Sequence, residues 1–308
     1  MKRQMKVCLS FLSPVYMKVS GFTIVRNAVK YDYPVVESIT SILPICDEFV
    51  VAIGKSEDDT LKLIKSINSP KIKILETVWD DSLREGGRVL AVETDKAFKA
   101  VASDSDWAFY LQADEVVHEN DLPAIKEAML KWKDVKEVEG LLFNYKHFFG
   151  TYDYIADSRK WYRNEIRVIR NNKEISSYKD AISFRKHGKK LHVKRASATV
   201  YHYGWVKNPK VQIEKRKSFE KLWHDDNWMK EHFPEMEEFD YSNIDSLAEY
   251  KSSHPAVMKE RINSKNWRFS YDPSKRVNTK LRIKILNYIF KTTGWNIGEN
   301  RNYKISRA

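Results

Sequence analysis

Between residues 18 and 132 the chain repeats one pattern: a short apolar run, a polar loop, then a stretch of helical periodicity. The apolar runs are Val19 to Val25, Glu48 to Ile53, Lys71 to Leu75 and Trp107 to Gln112. All are of strand length and rich in β-branched or aromatic residues. Asp32-Tyr-Pro34 supplies a cap and a first-turn proline for a helix ending near Leu43, with Val35, Ile39 and Ile42 facing inward. Leu61 to Ile67, Arg88 to Ala102 and Leu122 to Trp132 read as further helices. Strands separated by helices are joined by crossovers, and crossovers lay strands parallel. The fold expected is α/β: a mostly parallel, Rossmann-like central sheet with flanking helices. No G-x-G-x-x-G follows the first strand, so the usual dinucleotide fingerprint is absent.

Beyond Trp132 the pattern changes. Gly140 to Tyr145 and Ile166 to Ile169 read as strands, and the aromatic stretch Phe148 to Ile155 between them reads as a loop. Ala198 to His202 is another strand, ended by Tyr203-Gly204. Pro209 to Leu222 reads as a basic helix, residues 225–275 as a polar segment, and Lys280 to Lys291 as a basic amphipathic helix. The organisation expected is a loose tail over 1–17, a main domain over 18–205, and a mainly helical extension over 206–308. The short apolar run after Met1-Lys-Arg is broken by Ser10, Ser13 and Pro14, unlike a signal peptide, and Met17 is an alternative start.

The charge narrows the partners. With 54 basic against 42 acidic residues, the formal net charge of +12 favours anionic ligands: nucleotides, nucleic acid or an anionic membrane face. The basic residues are interleaved with acids and no nucleic-acid motif appears, so nucleic acid is not the partner expected, although Lys215-Arg-Lys217 forms a small cluster. Two cysteines, Cys8 and Cys46, are too few for a disulfide framework and fit a reducing compartment. No apolar stretch approaches the roughly 20 residues that span a bilayer. A cytoplasmic protein is expected, with the helix at 280–291 able to lie on the inner face of an anionic membrane.

Trp107-Ala-Phe-Tyr-Leu-Gln-Ala-Asp114-Glu115 ends an apolar strand in two carboxylates. The carboxyl ends of strands in an open α/β sheet are where ligands bind. Two acids there suit a divalent metal or the phosphates that travel with one; the other reading is a solvated strand end.

Four features converge in order and spacing: Thr23-Ile-Val-Arg26-Asn27, then Gly54-Lys-Ser-Glu-Asp58-Asp-Thr60, then Gly86-Gly-Arg88, then Gln112-Ala-Asp114-Glu115. Together they resemble a family-2 glycosyltransferase of the GT-A fold, over residues 18–205. The resemblance implies transfer of a sugar from a nucleoside-diphosphate donor to a hydroxyl on a glycan, polysaccharide or lipid-linked acceptor, with inversion, as in cell-envelope assembly. It puts Asp114 at the last acid of the D-x-D-like element, a ligand of Mn²⁺ or Mg²⁺ beneath the diphosphate. Gln112 stands where many members carry the first acid, and Gly54 where many carry the acid that reads the nucleobase. Arg26, Asn27, Asp58 and Arg88 fall in the donor-binding segments, and Glu115 supports Asp114 from behind or faces the acceptor. His202 resembles the histidine that some members use as a second metal ligand. The catalytic base falls on Asp180, with Glu165 the rival. A catalytically inert sugar-nucleotide binder and, more remotely, a nucleic-acid-binding protein are the competing readings.

Overall fold

The computed structural model describes residues 16–233, 236–272, 281–295, 297–299 and 301–307. The tail over 1–15, with Cys8, lies outside the described residues, as do Lys280 and the side chain of Lys291.

The βα repeat appears as expected: β1 (Val19–Val25), α1 (Val35–Ile42), β2 (Glu48–Gly54), α2 (Thr60–Lys65), β3 (Ile72–Thr77), α3 (Arg88–Lys99), β4 (Trp107–Tyr110) and α4 (Leu122–Trp132), with one unexpected short strand, β5 (Glu115–Val117), between the last two. β1 and β2 are buried at every position, as central parallel strands must be. β3 mixes half-buried with exposed positions because it closes the edge of the sheet.

The second half supplies β6 (Gly140–Phe149), β7 (Thr151–Ala156), β8 (Asn164–Arg170), β9 (Ile175–Tyr178), β10 (Ser183–Lys186), β11 (Lys189–Lys190) and β12 (His192–Trp205). The stretch 148–155 is not a loop. It is the corner of a β6–β7 hairpin, turned at Gly150 with φ +75°. Aromatic residues favour strands, which is why such a run extends rather than loops. β9, β10 and β11 form a separate small sheet that the sequence reading missed.

The central sheet has 11 strands among the described residues and runs β13-β7-β6-β8-β4-β1-β2-β3 along its main path, where β13 is Leu247–Glu249 of the extension. Its parallel part is β4-β1-β2-β3. β8 enters antiparallel to β4, and β12 lies parallel to β6. Helices cover both faces, as the sequence pattern requires. Ile39 and Ile42 of α1 and Ile125 and Met129 of α4 pack on one core, where Cys46 is also buried. Ala97 and Phe98 of α3, with Phe184 of β10, pack on the other.

The extension comprises α5 (Pro209–Glu220), α6 (Asp226–His232), β13 (Leu247–Glu249), α7 (Lys259–Asn263), α8 (Leu281–Thr293) and β14 (Lys304–Ile305). It is tied to the sheet by its strands: β13 pairs with β7 and β14 with β12. No helix among the described residues is long and apolar enough to cross a membrane.

Candidate active site

A cleft of about 470 Å³ opens where β1 and β4 end, between the turn after β4, β12 and α5. Its lining includes Arg26, Gln112, Asp114, Asp180, His202 and Lys215. Clefts of this size bury most of a nucleotide-sized ligand.

Asp114 is placed by backbone pairing. β5 runs antiparallel to β12 with Glu115 opposite His202, and the Tyr203 amide donates to the Asp114 carbonyl at 2.8 Å. Asp114 is only 8% exposed. Lys215 of α5 donates to its Oδ2 at 2.9 Å and to the Gly204 carbonyl at 3.0 Å. Burial alone would raise the Asp114 pKa, but the Lys215 ammonium outweighs it and holds the carboxyl well below its usual range.

His202 Nε2 lies 3.8 Å from Asp114 Oδ1, too far for a hydrogen bond. The gap is kept open by Gly204. A side-chain carbon there would sit 2.7 Å from both Asp114 Oδ2 and His202 Nε2. Two ligands at about 2.1 Å from one ion lie roughly 3 to 4.2 Å apart, so the carboxylate and imidazole fit a shared divalent cation. No group of three or more His, Cys, Asp or Glu among the described residues could hold a metal. The remaining ligands would have to be phosphate oxygens and water, the set Mg²⁺ and Mn²⁺ accept.

Behind this pair lies a buried brace. Arg167 and Glu115 are both fully buried and bonded at two points, Nε to Oε2 and Nη2 to Oε1, each at 2.7 Å. Tyr145 Oη and the Gln112 amide complete the Glu115 carboxylate. Glu115 therefore faces away from the cleft and fixes the turn that carries Asp114. The same guanidinium donates to the Ile182 carbonyl at 3.0 Å, so it also holds the loop that carries Asp180. Breaking a buried pair of this kind costs roughly 3–5 kcal/mol.

Asp180 lines the cleft on a strained turn: Lys179 and Ala181 on either side have φ of 56° and 61°. Non-glycine residues adopt that region at a cost of roughly 1–3 kcal/mol, and such strain collects at functional sites. Burial pushes the Asp180 carboxyl above its ordinary pKa, against the opposing charges of Lys179 and Arg167. Gly87 makes the fit possible, since a Cβ there would come within 2.8 Å of the Asp180 Cβ.

Other candidates stand outside the cleft lining. Glu165 is 2% exposed and accepts a 2.9 Å bond from Asn302 of the C-terminal segment, which covers it; burial pushes its carboxyl up to about 7. Arg88 opens α3 and faces solvent. Asn27 and Asp58 staple two loops: Asn27 Oδ1 accepts from the Glu57 amide, and Asp58 accepts from the Lys30 and Thr60 amides. Gly54 makes room for a side chain that sequence reading overlooked. A Cβ there would lie 2.3 Å from Trp79 Nε1, and the Trp79 ring lines the cleft with the Arg26 guanidinium 4.4 Å from its centroid. In the sequence Lys215 is one member of a basic cluster and nothing local marks His147, yet both line the cleft. Burial, then the neighbouring His202, hold His147 well below the usual imidazole range.

No protein-family profile matches the chain, and no curated protein does. Among solved structures it is similar to TarS of S. aureus, at 15% identity and TM-score 0.39 over 66% of this chain and 39% of that one. The 1–349 form of TarS in complex with UDP gives 15% identity and TM-score 0.37, over 66% and 64%. Glucosyl-3-phosphoglycerate synthase from Mycobacterium tuberculosis, in complex with Mn²⁺, UDP and phosphoglyceric acid, gives 16% and TM-score 0.29, over 43% of each chain. The chain spans less than two thirds of the length of each.

Proposed function

We propose that this chain is a glycosyltransferase, moving a sugar from a nucleoside diphosphate to a hydroxyl of a glycan or lipid-linked acceptor by single displacement with inversion. The observation that carries this reading is one cleft holding two differently tuned carboxylates. Asp114 is kept ionised beside a fixed ammonium, and Asp180 is raised by burial. Sites that push two titratable groups apart commonly divide the labour of acid–base chemistry and charge stabilisation.

In the proposed reaction the acceptor oxygen bonds to the anomeric carbon as the bond from that carbon to the phosphate oxygen breaks. The electron pair leaves with the diphosphate, and the acceptor proton passes to Asp180. Lys215 and Arg26 line the cleft as permanent positive charges for the leaving group. A divalent ion, when bound, would be held by Asp114 and His202 and supply Lewis-acid stabilisation of the same charge. The Trp79 ring offers the nucleobase a flat face, with Arg26 stacked against it.

Incubating the protein with UDP-, GDP- and dTDP-sugars, with and without Mn²⁺, tests this. One nucleotide class should be hydrolysed slowly, faster with Mn²⁺, and NMR of the released sugar should show the inverted anomer first. Binding without turnover of any donor would instead mean an inert sugar-nucleotide binder.

The acceptor side includes a membrane. Helix α8 turns Leu281, Ile285 and Tyr288 outward at 74%, 52% and 70% exposure, continued by Trp295 at 63%. Arg282 and Lys284 are also exposed, and no acid occurs between 281 and 295. An apolar row flanked by cations fits an anionic lipid surface. Its inner side meets the cleft wall: Phe290 packs under the Arg163 guanidinium at 3.7 Å, next in sequence to Trp161 and Tyr162 of the lining. Full-length protein should co-sediment with phosphatidylglycerol vesicles and not with phosphatidylcholine ones. Ile285→Glu/Tyr288→Glu should weaken that binding by about tenfold or more. Equal sedimentation of both proteins, or a dimer lost in the variant by light scattering, would refute the membrane role.

A further inference from the structure

Two histidines stand side by side in the cleft lining, and only one of them belongs to the proposed metal pair. His147 of β6 and His202 of β12 are register partners on adjacent parallel strands, so their side chains project to the same face. Their Nδ1 atoms are 3.2 Å apart. On its other side, His147 Nε2 lies 2.7 Å from the carbonyl oxygen of Tyr162. The His147 ring is 3% exposed and packed against the rings of Tyr145, Trp161 and Tyr162.

These contacts fix the protons. A carbonyl oxygen only accepts, so His147 Nε2 carries a hydrogen. In a ring buried among aromatics with no carboxylate bonded to it, the neutral form is favoured, which leaves Nδ1 of His147 as a bare acceptor. His202 Nδ1, facing it, must then be the donor. The remaining nitrogen, His202 Nε2, is left with an open lone pair. It points at the gap beside Gly204, across from Asp114 Oδ1.

Without His147 the outcome would differ. A neutral imidazole beside a carboxylate ordinarily turns its N–H toward it, and the ring would then close on Asp114 and present no lone pair. We propose that His147 is a positioning residue: by accepting from His202 Nδ1 it fixes the tautomer that leaves His202 Nε2 free to bind a divalent cation together with Asp114. This rests on the metal-assisted reading above for its purpose, and not for the tautomer itself. The partner that orients a metal-binding histidine is normally a carboxylate, carbonyl or water. Here a second histidine, itself anchored by a carbonyl, takes that place.

The test uses the full chain, labelled with ¹⁵N-histidine and free of metal. Long-range ¹H–¹⁵N spectra should show His202 as the Nδ1–H tautomer and His147 as the Nε2–H tautomer. His147→Phe keeps an aromatic ring and removes both nitrogens. In it the His202 proton should move to Nε2, and Mn²⁺ affinity, read from the EPR signal of free Mn²⁺, should fall by about 10–100-fold. His147→Asn places a carboxamide oxygen near the lost Nδ1 and should recover most of that affinity. A wild-type His202 found as the Nε2–H tautomer overturns the proposal, and that measurement needs no variant to fold. Unchanged Mn²⁺ affinity in a folded His147→Phe protein overturns it too. If the wild-type tautomers are as stated but Mn²⁺ does not bind, the metal reading fails and the proton assignment stands.

Discussion

Asp114→Asn is expected to lower sugar transfer by about a hundredfold or more and to abolish its response to Mn²⁺, in a protein that still folds. The substitution removes the charge while keeping the shape. Asparagine retains an oxygen that can accept from Lys215 Nζ, now 2.9 Å from Asp114 Oδ2. Alanine would be a poorer choice. Both side chains of the pair are nearly buried, at 12% and 11% exposure, and an ammonium stripped of its partner there costs roughly 3–5 kcal/mol. A dead alanine variant could then reflect an unfolded one. The pair also sets a pH window. The folded-state pKa of Asp114 lies below its ordinary value of 3.8, so its stabilisation is fully present above that value and fades as pH falls through the lowered one. Asp114 thus remains ionised across the neutral range, and an acid limb in activity there must come from another group. Thermal melts by circular dichroism and transfer assays with a Mn²⁺ series check both halves. Turnover within about threefold of wild type would remove Asp114 from the chemistry, since loss of a charge-stabilising group normally costs far more.

The fold was legible wherever local pattern and global role agree. Helix α4 is found between the residues read from sequence, Leu122 and Trp132, because Asp121 and Pro123 mark its first turn and its apolar spacing is unbroken. β1 and β2 were legible because strands buried on both faces must be apolar throughout. The small sheet β9–β11 was not, because Ser176, Ser177, Lys186 and Lys189 give no alternation to read. The hairpin over 148–156 reads as a loop in sequence because Gly150 breaks its aromatic run, although the aromatic residues on either side favour strand. Only its turn, at Gly150, was marked locally.

The site divides along a different line. Asp114 and His202 could each be noticed, since both sit at or just past runs that read as strands, but the β5–β12 pairing that joins them carries no sequence signal. What surrounds them could not. Lys215 reaches Asp114 from 101 positions away, and no local signal in a basic helix distinguishes the lysine that turns inward. Glu165 and Asp180 look alike in sequence, each an acid near a strand with a cation close by. They separate only because Asn302, from the far end of the chain, seals Glu165. Gly54 looked like a missing acid, and it is in fact the clearance that lets Trp79 into the cleft. Contacts of long sequence separation decide each of these cases, and a single sequence does not carry them.

Asp180→Asn should reduce turnover by about 10²–10⁴-fold while leaving donor affinity near wild type, the split that marks a base acting on the acceptor and not a donor ligand. Asparagine suits the place, because it keeps the Cβ that packs on Gly87 and tolerates a turn whose neighbours sit at φ 56° and 61°. The pH profile adds a sharper sign. A base works only when ionised, so activity must fall as pH drops through its pKa. Burial has raised that pKa above 3.8, and the acid limb should therefore lie at higher pH than for an exposed aspartate. The limb should vanish from the residual activity of the variant. Glu165→Gln provides the contrast. Its oxygen can still accept from Asn302 Nδ2, and with no place in the cleft lining it should leave both turnover and the limb in position. If the two variants behave the other way round, with Asp180→Asn active and Glu165→Gln slow, the proton passes to Glu165 and the C-terminal segment that covers it must open during turnover.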